Sequence, residues 1–261
     1  MPELPEVETV RRIISPQIEG CVIGAITINH PQVIKHPEAG VFCDAVKGRA
    51  IVGTDRRGKF LKIALDNGAV IVLHLRMTGQ FLVTPADFPV EKHTHVIFQL
   101  DSGRQLRYID TRRFGGFWLI AKDEPDDVTC MPKLGLEPFD PALTAAYLQG
   151  KAGGSRRAIK NMLLDQTIVT GIGNIYSDEI LFRTKIHPQR ACRDLSYTEW
   201  QALAESIPCI INWGIETNAV TAEEHLAGKG KKYRNTPYLQ AYGHAGKPCP
   251  RCDTPFKKVS V

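Results

Sequence analysis

The 261 residues carry 43% hydrophobic and 23% charged side chains with a net charge of +5, which excludes a disordered chain, and no apolar run approaches a membrane span. A chain of this length favours two domains over one core. The seven cysteines are an odd, scattered set and Glu3, Glu6, Glu8, Arg11 and Arg12 interrupt any apolar export signal, so a reduced, cytoplasmic setting is expected.

The chain opens on Pro2-Glu3-Leu4-Pro5, a secondary amine beside a carboxylic acid. Once Met1 is trimmed, the pyrrolidine nitrogen is a candidate nucleophile, because an α-amino group titrates near about 8, well below the roughly 10.4 of lysine. Such an amine can attack an electrophilic carbon and form an iminium, with Glu3 as proton donor or shuttle. The plainer alternative is a proline in the first turn of a helix.

A first amphipathic helix is expected over Glu6–Glu19, with Val7, Val10, Ile14 and Ile18 on one side. Strand-like runs follow at Val22–Ile28, Ala50–Thr54, Phe60–Leu65, Val70–Leu75, His95–Leu100, Gln105–Ile109 and Phe117–Ile120. Short turns such as Asp66-Asn67-Gly68 separate them, as in an antiparallel sandwich. Lys122–Asp140 is rich in Pro, Asp and Gly and reads as a linker. From about Pro141 the spacing is helical, through Leu143–Tyr147, Ile159–Leu164, Ile175–Phe182 and Trp200–Trp213. The expected fold class is therefore α+β, with domains at 1–130, 131–240 and a short final segment at 241–261.

Four stretches are basic and nearly free of acids: residues 47–62, with Lys47, Arg49, Arg56, Arg57, Lys59 and Lys62; Arg104–Arg113; 151–160, with Lys151, Arg156, Arg157 and Lys160; and Lys229, Lys231, Lys232 and Arg234. Separate basic segments converging on one surface suit a phosphate-tracking protein, whereas single runs are usually solvated faces. Between two helical stretches lies Asp165–Tyr176, with Gly171-Ile172-Gly173-Asn174. Amides at a helix N-terminus are natural phosphate ligands and glycines allow a DNA backbone to approach, although many such turns only cap a helix. Beside the basic stretch ending at Lys160, the segment reads as a helix-two-turn-helix element that grips phosphates.

Six motifs then occur in one order: Met1–Val10, Arg56-Arg57-Gly58-Lys59-Phe60-Leu61, His74-Leu75-Arg76-Met77-Thr78-Gly79, Lys92-His93-Thr94-His95, Arg112-Arg113-Phe114-Gly115 and Asp165–Tyr176. Together they resemble the bacterial formamidopyrimidine-DNA glycosylases, which remove oxidised purines such as 8-oxoguanine. The resemblance runs from residue 1 to about 190 and again from Ala241 to the end. It implies an N-terminal helix with an antiparallel β-sandwich, a helix-two-turn-helix domain and a small C-terminal zinc-finger hairpin. The implied partner is double-stranded DNA containing oxidised bases or abasic sites, bound by a monomer in the bacterial cytoplasm and nucleoid.

The resemblance assigns Pro2 as the nucleophile on C1′, Glu3 as the group assisting ring opening and Lys59 as an aid to base release and β-elimination. Met77, Arg112 and Phe114 match the residues that fill the void left by the flipped nucleotide. His93, Arg112, Arg156, Lys160 and Asn174 match phosphate contacts. The carry-over predicts a bifunctional glycosylase and lyase without a catalytic metal.

Two departures stand against it. The family holds one structural zinc on two Cys-x-x-Cys pairs, whereas this sequence offers Cys249-Pro250-Arg251-Cys252 and ends at Val261, without the second pair or the family's hairpin arginine. The finish Phe256–Val261 reads as one strand of a hairpin missing its mate, as in a truncated record. Glu216–Arg234 also differs from the family's loop over the extruded base, so lesion preference is less fixed than reaction type. The competing readings are an endonuclease VIII-like glycosylase for oxidised pyrimidines, against which Leu4 speaks, and a damage-binding protein without catalysis, as expected if Met1 is retained.

Overall fold

The computed structural model describes residues 2–230 and 235–261, so the expectations resting on Met1 and on Lys231, Lys232 and Arg234 lie outside the described residues. Helix α1 (Leu4–Ile18) carries Pro5 in its first turn, where a missing N–H leaves no bond unmade. Further along the chain come α2 (Ala39–Val46), α3 (Ala145–Ala152), α4 (Ile159–Leu164), α5 (Asn174–Thr184), α6 (Tyr197–Thr217) and α7 (Ala222–Ala227). Among the described residues no helix is long and apolar enough to cross a membrane. The described residues divide into two units, one of residues 2, 6–132 and 219–230, the other of 3–5, 133–218 and 235–261.

The first unit holds two sheets. One has the order β1 (Ile23–Ile28), β7 (Thr94–Leu100), β8 (Arg104–Asp110), β6 (Gly79–Pro85); the other runs β2 (Ile34–His36), β9 (Gly116–Ile120), β5 (Val70–His74), β4 (Phe60–Leu65), β3 (Ile51–Arg57). Pairing is antiparallel except between β2 and β9, which are parallel. Val7, Val10, Ile14 and Ile18 of α1 join the aromatic centre of this core, where Phe42, Phe81, Phe98 and Tyr108 surround Phe117. Edge-on ring packing of this kind adds to the burial term. The strands with clear alternation are where the sequence puts them. β6 was not expected because Gly79, Gln80 and Thr84 are buried in it along with Phe81, Leu82 and Val83, which leaves neither an apolar alternation nor a continuous apolar run.

The second unit is helical. Leu4 belongs to its core together with Leu148, Ile159, Met162, Ile172, Tyr176, Ile180, Trp200, Leu203 and Ile207. Helix α6 begins at a reciprocal capping box, in which Ser196 accepts from the Glu199 amide and the Glu199 carboxylate accepts from the Ser196 amide. Glu179 of α5 accepts the amides of Gln240, Ala241 and Tyr242 at 3.0, 2.9 and 2.9 Å, fixing the start of the final segment. That segment closes a short hairpin through a single bridge, Pro248 to Pro255. Contrary to expectation no strand is formed over Phe256–Val261. A strand needs a paired edge, and after the Phe256 amide donates to Lys247 the carbonyl of Ser260 is met only by the side chain of Gln189 among the described residues.

Candidate active site and DNA-contacting residues

Glu3 is 1% exposed, and its carboxylate sits on the N-terminus of α5. Its Oε2 accepts from the amides of Gly173 at 2.7 Å and Tyr176 at 3.3 Å, and its Oε1 from Ile175 at 2.8 Å. Free amides and the helix dipole make this position a natural anion site. The occupant is thus the protein's own catalytic candidate, which corrects the expectation that these amides are open to phosphate. The glycines have the same explanation. A Cβ at Gly173 would lie 2.4 Å from Glu3 Cδ, and one at Gly171, whose φ is +90°, would lie 2.4 Å from Leu4 Cδ1. They admit the N-terminal peptide, and the Leu4 amide donates to the Gly171 carbonyl at 3.0 Å. Gly173 is the helix cap and Asn174 the first helical residue, with its side chain exposed. Pro2 is buried in the first unit.

Met77, Arg112 and Phe114, far apart in sequence, come together in the first unit. Arg112 Nη1 lies 3.1 Å from Met77 Sδ, and its guanidinium lies 4.6 Å from the Phe114 ring centroid. Met77 and Phe114 are 43% and 52% exposed, in the β5–β6 and β8–β9 loops, so two large apolar groups face solvent beside a cation. The residue before each, Arg76 and Arg113, has a positive φ, 54° and 57°. Buried His74 supports the first loop by accepting the Arg76 amide on Nδ1 at 3.0 Å. Burial, with the charges of Arg76 and Lys59, lowers its pKa from the ordinary 6.5 to about 3, so the ring is neutral and that nitrogen remains an acceptor.

Lys59 lies with Gly58 in the two-residue turn between β3 and β4, and Gly58 has the positive φ, 54°, that such a hairpin needs. The turn is tied to α1: Arg56 donates to the Gly58 carbonyl at 2.9 Å and to Glu8 at 3.4 Å. Burial works against ionisation of Glu8, but bonds from Arg11 and Arg12 and the charges of Arg11 and Arg56 outweigh it and bring its pKa from 4.5 to about 2.

Several residues of the basic stretches already have partners in the fold. Arg107 is 2% exposed and donates to the carbonyls of Phe88 and Pro89. Lys62 pairs with Asp55, Arg157 with Asp165, Lys160 with Asp178 and Lys229 with Glu91. The local scarcity of acids in the sequence therefore overstated the free positive charge. Lys47, Arg49, Arg76, Arg112, Arg113, Lys151 and Arg156 are exposed, whereas His93 is half-buried, its ring 6.4 Å from that of His95.

In the final hairpin Cys249 is buried and Cys252 exposed. Among the described residues no group of three or more His, Cys, Asp or Glu side chains could hold a metal ion. Two thiols on one turn do not fit a closed tetrahedral site.

Residues 1–117 match the formamidopyrimidine-DNA glycosylase N-terminal domain, and residues 134–225 match the formamidopyrimidine-DNA glycosylase H2TH domain. The chain belongs to the formamidopyrimidine-DNA glycosylase family. Among its relatives, the formamidopyrimidine-DNA glycosylase of Moorella thermoacetica is 42% identical over 99% of this chain and 94% of its own length. That of Geobacillus kaustophilus is 42% identical over 100% of this chain and 95% of its own. Lactococcus lactis Fpg bound to DNA containing an oxidised pyrimidine superposes with a TM-score of 0.91 at 34% identity, covering 100% of this chain and 95% of that one. The same enzyme with FAPY-dG DNA gives 0.90 at 34% identity, over 99% and 95% of the two chains.

Within the family's architecture, sequence motifs pointed to Pro2, Glu3, Lys59 and the exposed trio. Glu8 and His74 fall inside those motifs without a role being assigned to them and Asp110 falls outside, since the roles of all three depend on partners that only the folded chain brings close. For Asp110 the available signal was its place two residues before the Arg112-Arg113-Phe114-Gly115 motif.

Proposed function

We propose that the protein is a base-excision-repair DNA glycosylase and abasic-site lyase that removes oxidised purines from duplex DNA through a covalent imine on Pro2. The family membership supports the reaction class. The observation that carries the assignment of roles is the seating of Glu3 on three amides at the start of α5, those of the Gly173 cap, Ile175 and Tyr176, which gives a carboxyl group bonded through the backbone to the amine one defined position. Preorganised groups of this kind act without reorganising during the reaction.

The extruded nucleotide is attacked at C1′ by the Pro2 nitrogen lone pair as the glycosidic bond breaks and the base leaves with a proton. Nitrogen then expels O4′, which takes its proton from Glu3, leaving an iminium at C1′. The C2′ proton is now acidic. Its loss to a base, a role compatible with Lys59, gives an enamine that expels the 3′ phosphate, and water releases the sugar fragment from Pro2. Extrusion costs a few kcal/mol of stacking and pairing, and Met77, Arg112 and Phe114 would fill the vacated space. His93, Arg156, Lys160 and Asn174 would hold flanking phosphates, and Cys249 and Cys252 supply half of the family's zinc ligands. No step uses a metal. The DNA substrate puts the work in the bacterial cytoplasm.

Borohydride reduction during incubation with an 8-oxoguanine duplex is expected to give a covalent complex whose peptide map places the sugar on residue 2. Pro2→Gly should lose most trapping while retaining abasic-site binding; unchanged trapping refutes Pro2 as nucleophile. A thymine glycol duplex run in parallel tests the oxidised-pyrimidine alternative, since preferential excision there would overturn the lesion assignment.

A further inference from the structure

One buried carboxylate that the reaction does not use lies at the root of both exposed loops. Asp110 ends β8 and is 0% exposed. Its Oδ1 accepts from the Thr78 hydroxyl and, at 3.1 Å, from the Arg112 amide; its Oδ2 accepts from Tyr108 Oη at 2.9 Å and the Gly115 amide at 3.0 Å. The Thr78 hydroxyl also accepts from the Arg112 amide at 3.2 Å. The carboxylate is itself fixed to the sheet, because the Asp110 backbone carbonyl lies 2.7 Å from His95 Nε2, its amide donates to His93, and it pairs in register with Gly79.

We infer that Asp110 is the positioning residue that binds the Met77 loop and the Arg112–Phe114 loop into one stiff wedge, and that it serves nucleotide extrusion rather than sugar chemistry. The inference rests on the wedge reading given above. Three observations support it. First, the bonds divide between the loops: Thr78 directly follows Met77, while the Arg112 and Gly115 amides bracket Phe114. Second, Arg76 and Arg113 hold left-handed conformations that are unfavourable for any residue with a Cβ. Such conformations persist where the surroundings over-determine them, and these bonds, with His74 on the Arg76 amide, supply that constraint. Third, no slack exists at the junction, since a Cβ on Gly115 would lie 2.0 Å from Tyr108 Oη and one on Gly79 would lie 2.4 Å from the Leu75 carbonyl oxygen. An ionised acceptor makes each bond stronger than a neutral one would. Asparagine cannot replace it, because its NH2 would face a donor.

Two substrates separate wedge from chemistry. A lesion in a duplex must be extruded, whereas an abasic site in single-stranded DNA is already unstacked. Asp110→Asn and Thr78→Val are each expected to slow single-turnover excision of 8-oxoguanine from a duplex by about tenfold or more while their borohydride trapping on a single-stranded abasic oligonucleotide stays within about twofold; Met77→Ala is expected to slow duplex excision likewise. Thr78→Ser, which keeps the hydroxyl, should restore duplex excision. Thr78 is only half-buried, so its variants test the idea even if Asp110→Asn fails to fold. Equal losses on both substrates would reduce Asp110 to a general structural role and overturn the inference, as would normal duplex excision by Thr78→Val. A wild-type protein that excises nothing, or a Met77→Ala variant that excises normally, instead overturns the reading on which the inference rests.

Discussion

A methyl group at position 173 would collide with the Glu3 carboxyl group, so the smallest possible side-chain addition reaches the proposed proton donor directly. Gly173→Ala should displace Glu3 from its three amides and leave buried donors unpaired, an expected loss of about 1–3 kcal/mol. The rate of borohydride trapping should fall by about tenfold or more. Gly154→Ala, where nothing lies within 4 Å of the added Cβ, is the matched control and should do neither. The chemical nature of Pro2 and Glu3 was legible because amine and acid are adjacent in the sequence. The reason for Gly171 and Gly173 was not, because their partners are some 170 residues away and a glycine does not say what approaches it.

Elements were legible where the sequence carries an apolar alternation or an unbroken apolar run. α1 and β4 carry periodic apolar faces and are found within a residue or two of their expected limits. β6, whose buried run is interrupted by Gly79, Gln80 and Thr84, and β2, three residues long and paired in parallel, leave no such pattern. α7, Ala222-Glu223-Glu224-His225-Leu226-Ala227, has a single large apolar side chain and so no helical period, and it rests on the sheet: His225 Nε2 lies 3.3 Å from the Phe81 carbonyl oxygen. The capping box of α6 gives a separable test at this scale. Ser196→Ala removes a bond to the Glu199 amide and should cost about 1 kcal/mol by thermal or urea unfolding. Excision should remain within about twofold of wild type, and a larger loss would mean that α6 contributes to the site beyond its stability.

For the molecule as a whole, the ion pairs within the basic stretches limit how much of their charge is left for phosphate. Binding measured across salt concentrations should therefore show a slope well below the count of Lys and Arg in the four stretches. Arg156→Ala should reduce that slope by about one. Lys160→Ala should change it less, since Lys160 is held by Asp178 at 2.7 Å; an equal effect would mean that DNA displaces the carboxylate. Stability should also fall in acid, and the sign follows from His74. Its pKa is about 3 in the fold against 6.5 ordinarily, so the unfolded chain takes up the proton first as pH drops below 6.5. By pH 5 this one residue removes about 2 kcal/mol relative to neutral pH, or roughly 4–8 °C in Tm. His74→Asn, which keeps an acceptor for the Arg76 amide, should flatten that part of the profile. Glu8, lowered to about 2 by its arginines, begins to withdraw its contribution only below about 4.5.

The neutrality of His74 has a further consequence for the loop that carries Met77. A native ring that stays unprotonated until about pH 3 keeps its lone pair on the Arg76 amide throughout mild acidification. Genomic material sheds purines spontaneously as its surroundings acidify, multiplying abasic lesions. The loop proposed to open the helix thus keeps its shape while the workload grows, until the polypeptide around it melts.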